Sequence, residues 1–244
     1  MNFEAFKQKT LDIFAKNPSL PTPSDEQADK LFRLTEIMLK VNESMNLTAI
    51  TEESAVILKH YADSVSISGY IPEGAKVIDI GCGAGFPTLP LAIFRPDIEI
   101  MGLDSTAKRI EYVKLTAKEL ELANVSVIAA RAEELASKSE YREKFDVATA
   151  RAVAALPILS EICIPFVRTG GKFVAMKASQ GSAEAQVAQN AIKLCGGEIL
   201  SENIIDLTAD GENFEKRVII EAVKRDPTPS KYPRHYSQIS KKPL

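Results

Sequence analysis

The sequence has little of what disulfide frameworks and metal centres are made from. Its 244 residues include three cysteines, Cys82, Cys163 and Cys195, and two histidines, His60 and His235. The cysteines are odd in number and scattered, with no metal-ligand spacing, which argues against bridges. The histidines lie far apart, which argues against a zinc site. Long apolar runs are also missing: none approaches the roughly 18 residues of a membrane span. The start, Met1-Asn2-Phe3-Glu4, lacks the basic-then-apolar order of a signal peptide. These absences predict a soluble, cytoplasmic protein. An excess of positive charge is missing too. Thirty Lys+Arg stand against 33 Asp+Glu, a net −3, where a nucleic-acid binder usually shows a basic balance.

What is present is a chain 45% hydrophobic and 26% charged, long enough to bury a core without staples. Its charge is unevenly placed. Residues 224–244 carry six basic residues (Lys224, Arg225, Lys231, Arg234, Lys241, Lys242) and one acid, Asp226. That segment sums to +5 and leaves −8 on residues 1–223.

The first seventy residues read as a helical cap. Phe3, Phe6, Leu11, Ile13 and Phe14 suit an amphipathic helix over 2–16, and three prolines between Asn17 and Pro23 suit a linker. Ser24-Asp25-Glu26-Gln27 resembles a capping box that opens a second helix. Its apolar face is Leu31, Leu34, Ile37, Met38 and Val41. A third helix after Thr51 would bury Val56, Ile57 and Tyr61. Residues 71–225 follow a different pattern. Strands are predicted at Val77–Ile80, Ile98–Leu103, Val125–Ala129, Phe145–Thr149, Lys172–Met176, Glu198–Ile205 and Arg217–Val223. Helices fill 87–95, 106–122, 155–166 and 182–195. This alternation predicts an α/β fold whose seven-stranded sheet is mostly parallel, with the last two strands antiparallel. Residues 226–244 form a proline-containing basic tail without apolar period.

The segment Val77-Ile78-Asp79-Ile80-Gly81-Cys82-Gly83-Ala84-Gly85-Phe86-Pro87 runs an apolar strand into a glycine loop and a helix. Glycine there permits positive φ and close approach of a ligand to backbone. A dinucleotide fingerprint requires glycine at the sixth position, where this loop has Phe86. Gly-x-Gly-x-Gly after an acid instead resembles motif I of the class I S-adenosylmethionine (AdoMet) methyltransferases. Asp104 ends the second strand twenty-three residues after Gly81, where a carboxylate can accept both ribose hydroxyls. In class I methyltransferases the place of Ala132 and Glu133, after the third strand, flanks adenine. After the fourth strand comes Thr149-Ala150-Arg151-Ala152-Val153-Ala154. It lacks the Asn/Asp-Pro-Pro-aromatic motif of exocyclic-amine enzymes, and no Pro-Cys dipeptide supplies a cytosine-C5 nucleophile. Acceptors with a free lone pair remain. Guanine N7 is one, and its attack needs proximity and alignment rather than a base.

The chain resembles the RsmG family, also called glucose-inhibited division protein B, whose members methylate guanine N7 in 16S ribosomal RNA to give 7-methylguanosine. The resemblance covers nearly the whole chain. Its blocks are Asn46-Leu47-Thr48-Ala49-Ile50, His60-Tyr61-Ala62-Asp63-Ser64, Asp79 through Pro87, Asp104-Ser105 with Lys108-Arg109, Arg131-Ala132-Glu133, Thr149 through Ala154, the strand ending in Lys177, and Tyr232-Pro233-Arg234. It implies a Rossmann-like class I fold, AdoMet as cofactor, and 16S rRNA or a small-subunit particle as partner, with no membrane and no metal. It also implies that Gly81, Phe86, Ala132, Glu133 and Arg151 line the cofactor site. Gly83 and Asp104 join them from loop geometry. Two places depart from the family: Thr88 stands where Gly or Ser is usual, and His235-Tyr236-Ser237-Gln238-Ile239 replaces a Gly-containing stretch.

Several roles stay open in the sequence. Arg151 suits cofactor, guanine or phosphate, or a salt bridge to Asp79 or Glu133. Lys177 suits phosphate or solvent. His60 and Asp63, one helical turn apart, suit an acid-base pair or a buried structural histidine. No catalytic residue is assigned, because N7 attack requires no general base. Tyr232, Arg234, Lys241 and Lys242 are the tail's candidates for RNA, through stacking and phosphate attraction. A small-molecule methyltransferase, a nicotinamide oxidoreductase and a noncatalytic AdoMet-sensing RNA-binding module are the alternative readings.

Overall fold

The structure, a computed structural model, describes residues 2–244. The strands are β1 (Lys76–Ile80), β2 (Glu99–Asp104), β3 (Val125–Ala129), β4 (Phe145–Arg151), β5 (Val167–Ala178), β6 (Gly197–Thr208) and β7 (Phe214–Lys224). They form one sheet in the order β3-β2-β1-β4-β5-β7-β6. β1 to β5 are parallel, and β7 enters between β5 and β6, antiparallel to both. The mostly parallel seven-stranded α/β sheet is the one the sequence predicts. The antiparallel end pair is also as predicted, but the last strand sits inside the sheet rather than at its edge.

Strand order reverses between β1 and β4, so a crevice opens beyond their C-terminal ends. The helices covering the sheet are α5 (Thr88–Phe94), α6 (Ala107–Glu119), the short α7 (Ala132–Leu135), α8 (Leu156–Cys163) and α9 (Gly181–Leu194). Alternating residues of each strand feed opposite faces. Val77, Val147 and Val174 join one buried cluster, while Ile78, Ala148 and Phe173 join the other.

The N-terminal helices share the first cluster. In α1 (Phe3–Ala15) and α2 (Asp25–Met45), Phe6, Leu31, Leu34 and Met38 are fully buried against it. The capping box at Ser24 forms: its hydroxyl accepts the Gln27 amide at 3.2 Å, and the Gln27 side chain accepts the Ser24 amide at 2.9 Å. α2 ends at Asn46, in the left-handed region at φ 49°. The third helical stretch is not uniform. α3 (Glu53–Val56) passes into a π-helical turn at Ile57–Ala62 and then α4 (Asp63–Val65). The wider turn re-aims His60 and Asp63, a geometry that periodicity cannot reveal.

The C-terminal segment is more ordered than the basic tail without apolar period that the sequence suggests. It folds back on the second cluster, burying Tyr232 and Ile239, and forms α10 (Tyr236–Lys241). A six-residue helix with one buried apolar residue carries too little period to be read from sequence. Among the described residues, no helix is long and apolar enough to cross a membrane.

Candidate active site

The glycine loop joins β1 to α5, and its glycines serve different needs. Gly81 and Gly85 have φ of 76° and 88°, and a Cβ on either would lie 2.4 Å from Val153 and 2.5 Å from Leu89. Backbone conformation therefore favours glycine at both, and a Cβ at either would force the neighbouring side chain to shift. Gly83 has φ 55°, and a Cβ there would meet only a backbone oxygen at 3.8 Å. Its side is open, as a loop that admits a ligand must be. Beneath the loop lies Asp79, fully buried. Its Oδ2 accepts the Thr88 hydroxyl at 2.6 Å and the Thr88 amide at 3.2 Å, so Thr88 retains the hydroxyl expected of a serine there. Its Oδ1 is buried without a partner. Burial pushes the Asp79 pKa up to about 6, although Thr88 and the Arg151 charge pull against it.

Two cavities meet at the loop and share Gly81, Arg109 and Ala152. The first, about 280 Å³, is lined by Asp104, Ala132, Glu133, Arg131 and Val153 and, from α10, Tyr236. Asp104 ends β2, where Thr106 N donates to Oδ1 at 2.8 Å and Gly83 N to Oδ2 at 3.1 Å. These bonds fix the carboxylate and leave acceptor capacity on both oxygens. Glu133, buried in the first turn of α7, accepts a 3.3 Å bond from Arg131 Nε. Of the expected cofactor residues, Gly81, Asp104, Ala132 and Glu133 converge here.

The second cavity, about 470 Å³, is lined by Thr48, His60, Asp63, Gly83, Phe86, Arg151, Lys177 and Arg217. Phe86, Gly83 and Arg151 therefore line this side rather than the first cavity. At the end of β4, Arg151 Nη1 donates to Asp63 Oδ2 at 2.8 Å and to the Lys59 carbonyl at 2.7 Å. The salt bridge the sequence allows is thus made, but to Asp63 rather than to Asp79 or Glu133. Among the described residues, Arg151 Nε and Nη2 have no hydrogen-bond partner. The next residue is held in a rare conformation: Ala152 has φ 56°, which few non-glycine residues adopt.

Asp63 also accepts from Arg217 Nε at 2.9 Å, so one buried carboxylate holds two guanidinium groups. Arg217 was not among the expected residues. It comes from β7, and only the insertion of that strand beside β5 brings it to the crevice.

His60 and Asp63 do not pair with each other. His60 stacks on Phe86, with ring centroids 4.4 Å apart and planes at 5°, and its Nε2 meets the Thr48 hydroxyl at 3.0 Å. The Arg151 guanidinium carbon lies 5.6 Å from the Phe86 ring centre. Burial, then the Arg151 charge, pushes the His60 pKa down to about 3, so the ring is neutral near pH 7. Cys82 is buried and its thiol is pushed upward, first by burial. Neither side chain therefore offers proton transfer or nucleophilic attack near neutrality.

The RNA candidates divide. Lys177 Nζ bonds the Ala154 carbonyl and Glu184, both at 2.8 Å, so its charge is already used. Tyr232 is buried in the core and has no free face for a base. Arg234 forks onto the buried Glu161, with Nε at 2.8 Å and Nη2 at 2.6 Å. Lys224 lies in β7 and is 1% exposed, with Nζ bonded to Thr228 and to the carbonyls of Ile164 and Val167. Lys241 and Lys242 are exposed, as are Lys108 and Arg109, of which Arg109 lines both cavities. Among the described residues, no group of three or more His, Cys, Asp or Glu side chains is placed to hold a metal ion.

A crevice at the strand-order reversal, with this strand order and a glycine loop beside an acidic strand end, defines the class I methyltransferase fold. In agreement, the crystal structure of M. jannaschii TYW2 in complex with AdoMet superimposes with a TM-score of 0.54 at 15% identity, covering 68% of this chain and 75% of that one. The profile of the family described as rRNA small subunit methyltransferase G (GidB) matches residues 27–208. Ribosomal RNA small subunit methyltransferase G of Alkaliphilus metalliredigens is 43% identical over 222 residues, 90% of this chain and 92% of the relative. The protein of the same name from Streptococcus pyogenes serotype M3 is 42% identical, covering 93% and 94%. The chain belongs to the rRNA small subunit methyltransferase G family.

Proposed function

We propose that this chain transfers the methyl group of AdoMet to N7 of a guanine in 16S ribosomal RNA, as naked RNA or in a small-subunit particle, in the cytoplasm. The observation that carries the reading is the meeting of two unlike cavities at one glycine loop. The first brings the carboxylates Asp104 and Glu133 beside Arg109 and Arg131, and the second gathers Arg151, Arg217 and Lys177 around the single carboxylate Asp63. The donor set fits AdoMet. Asp104 suits the ribose hydroxyls, Ala132 and Glu133 suit adenine, and the open side of Gly83 admits the amino-acid end. The orphaned Asp79 oxygen adds negative potential beneath the loop, which favours a cationic ligand. AdoMet supplies an electrophilic methyl group when bound.

The chain's own residues align the acceptor. Guanine N7 has its lone pair in place, so no base is needed and holding the ring in line is the main contribution. Arg151 is fixed by Asp63 and the Lys59 carbonyl, and its remaining donors suit guanine O6 or a phosphate oxygen. The Phe86–His60 stack gives the cavity a rigid apolar wall. Exposed Lys108, Arg109, Lys241 and Lys242 suit RNA phosphates. Mass spectrometry of 16S rRNA from a strain lacking the gene tests the reading. Loss of one 7-methylguanosine, restored by the wild-type chain, is expected. An unchanged 7-methylguanosine content would sink it.

A further inference from the structure

Tyr236 is the residue of the C-terminal segment that reaches the crevice. Among the described residues beyond β7, it alone lines either cavity at the glycine loop. Its placement is built rather than incidental. Ile239, one turn along α10, is fully buried in the second core cluster. Before the helix, Arg234 forks onto the buried Glu161 and donates its backbone amide to the same carboxylate at 2.8 Å. The Arg131 guanidinium carbon sits 4.6 Å from the Tyr236 ring centre, and Arg131 in turn bonds Glu133. A line of contacts thus runs from the C-terminal helix to the cavity wall that holds Asp104, Ala132 and Glu133.

We infer that Tyr236 is a cofactor-contacting residue, closing the first cavity against the nucleoside half of AdoMet. The inference rests on the AdoMet reading above. Beside a purine, a flat ring already gripped by a guanidinium adds stacking contact without losing much rotamer freedom on binding. The C-terminal segment then serves cofactor retention, a role separate from phosphate attraction.

The test is calorimetric titration of the full chain with S-adenosylhomocysteine and with 5′-methylthioadenosine, which keeps the nucleoside and lacks the amino-acid end. Tyr236→Ala should weaken both ligands about tenfold, within the range that aromatic stacking on a base contributes. Tyr236→Phe should bind as wild type does. Tyr236→Leu, which keeps an apolar anchor but no flat face, should bind as poorly as Tyr236→Ala. Gln238→Ala, exposed on the same helix, should change nothing. Wild-type affinity in Tyr236→Ala would overturn the inference. So would full rescue by leucine, which marks a merely structural role, or a loss confined to S-adenosylhomocysteine, which places the ring at the other half. Wild-type protein that bound neither ligand would overturn the AdoMet reading and this inference with it.

Discussion

Asp79 is a carboxylate with one oxygen served and the other stranded. Its pKa of about 6, raised chiefly by burial, exceeds the ordinary 3.8. The folded protein therefore holds this proton more tightly than the unfolded chain. That contribution is complete below about pH 4 and is lost as pH rises through about 6. His60 acts oppositely: with its pKa lowered to about 3, its contribution is present above about 6.5 and lost as pH falls through 3. In the wild type the two slopes oppose each other between pH 4 and 6. Removing one exposes the other. Asp79→Asn should gain stability relative to wild type across that interval, by about 3 kcal/mol at most, and then stay level. Urea unfolding at a series of pH values measures this; a constant difference would contradict it. Asp104→Ala should weaken AdoMet binding by about 1–3 kcal/mol, through lost charge-assisted bonds to the ribose and a loosened Gly83 amide. Calorimetry checks it, and unchanged affinity would mean the cofactor is misplaced. Asp104, Gly81 and Arg151 are legible in sequence because each sits at a strand end that apolar patterning locates. The Asp63–Arg217 pair is not, since its partners lie 154 residues apart and meet only through sheet order.

Elements were legible where their pattern is long. The period of α2 and its capping box mark the start of that helix at Ser24. The box is exposed and local, so Ser24→Ala should cost about 1 kcal/mol in thermal unfolding. A wild-type melting temperature would show that the cap contributes nothing. The far end of α2 matters to the site, because the turn after Asn46 delivers Thr48 to His60. The π-helical turn at Ile57–Ala62 was hidden for a physical reason. It conserves composition and apolar content and alters only which side chains share a face, so His60 and Asp63 part company. β6 is similar: its alternating exposure marks a half-covered strand, yet nothing local says that β7 lies between it and β5.

For the whole molecule, net charge misled twice. The −3 total conceals a basic C-terminal segment, and half of that segment's cations are themselves committed. Lys224 pairs with Glu143, Arg225 with Glu198 and Arg234 with Glu161, so acids of the body answer half of its six cations. Charge counting along a chain cannot see such pairing across 27 to 81 residues of sequence. The position of β7 has a further consequence, and it concerns time. Synthesis runs from N- to C-terminus, and early segments fold first. Until residues 214–224 emerge, β5 keeps an open edge and β6 has no sheet to join. A chain stopped after residue 213 should therefore aggregate on expression, as a sedimentation assay would show; a soluble monomer would contradict it. Arg217 arrives with the same strand. The nascent protein thus carries a finished glycine loop well before the second cavity is complete, and it gains that cavity's Arg217 wall only once β7 has emerged.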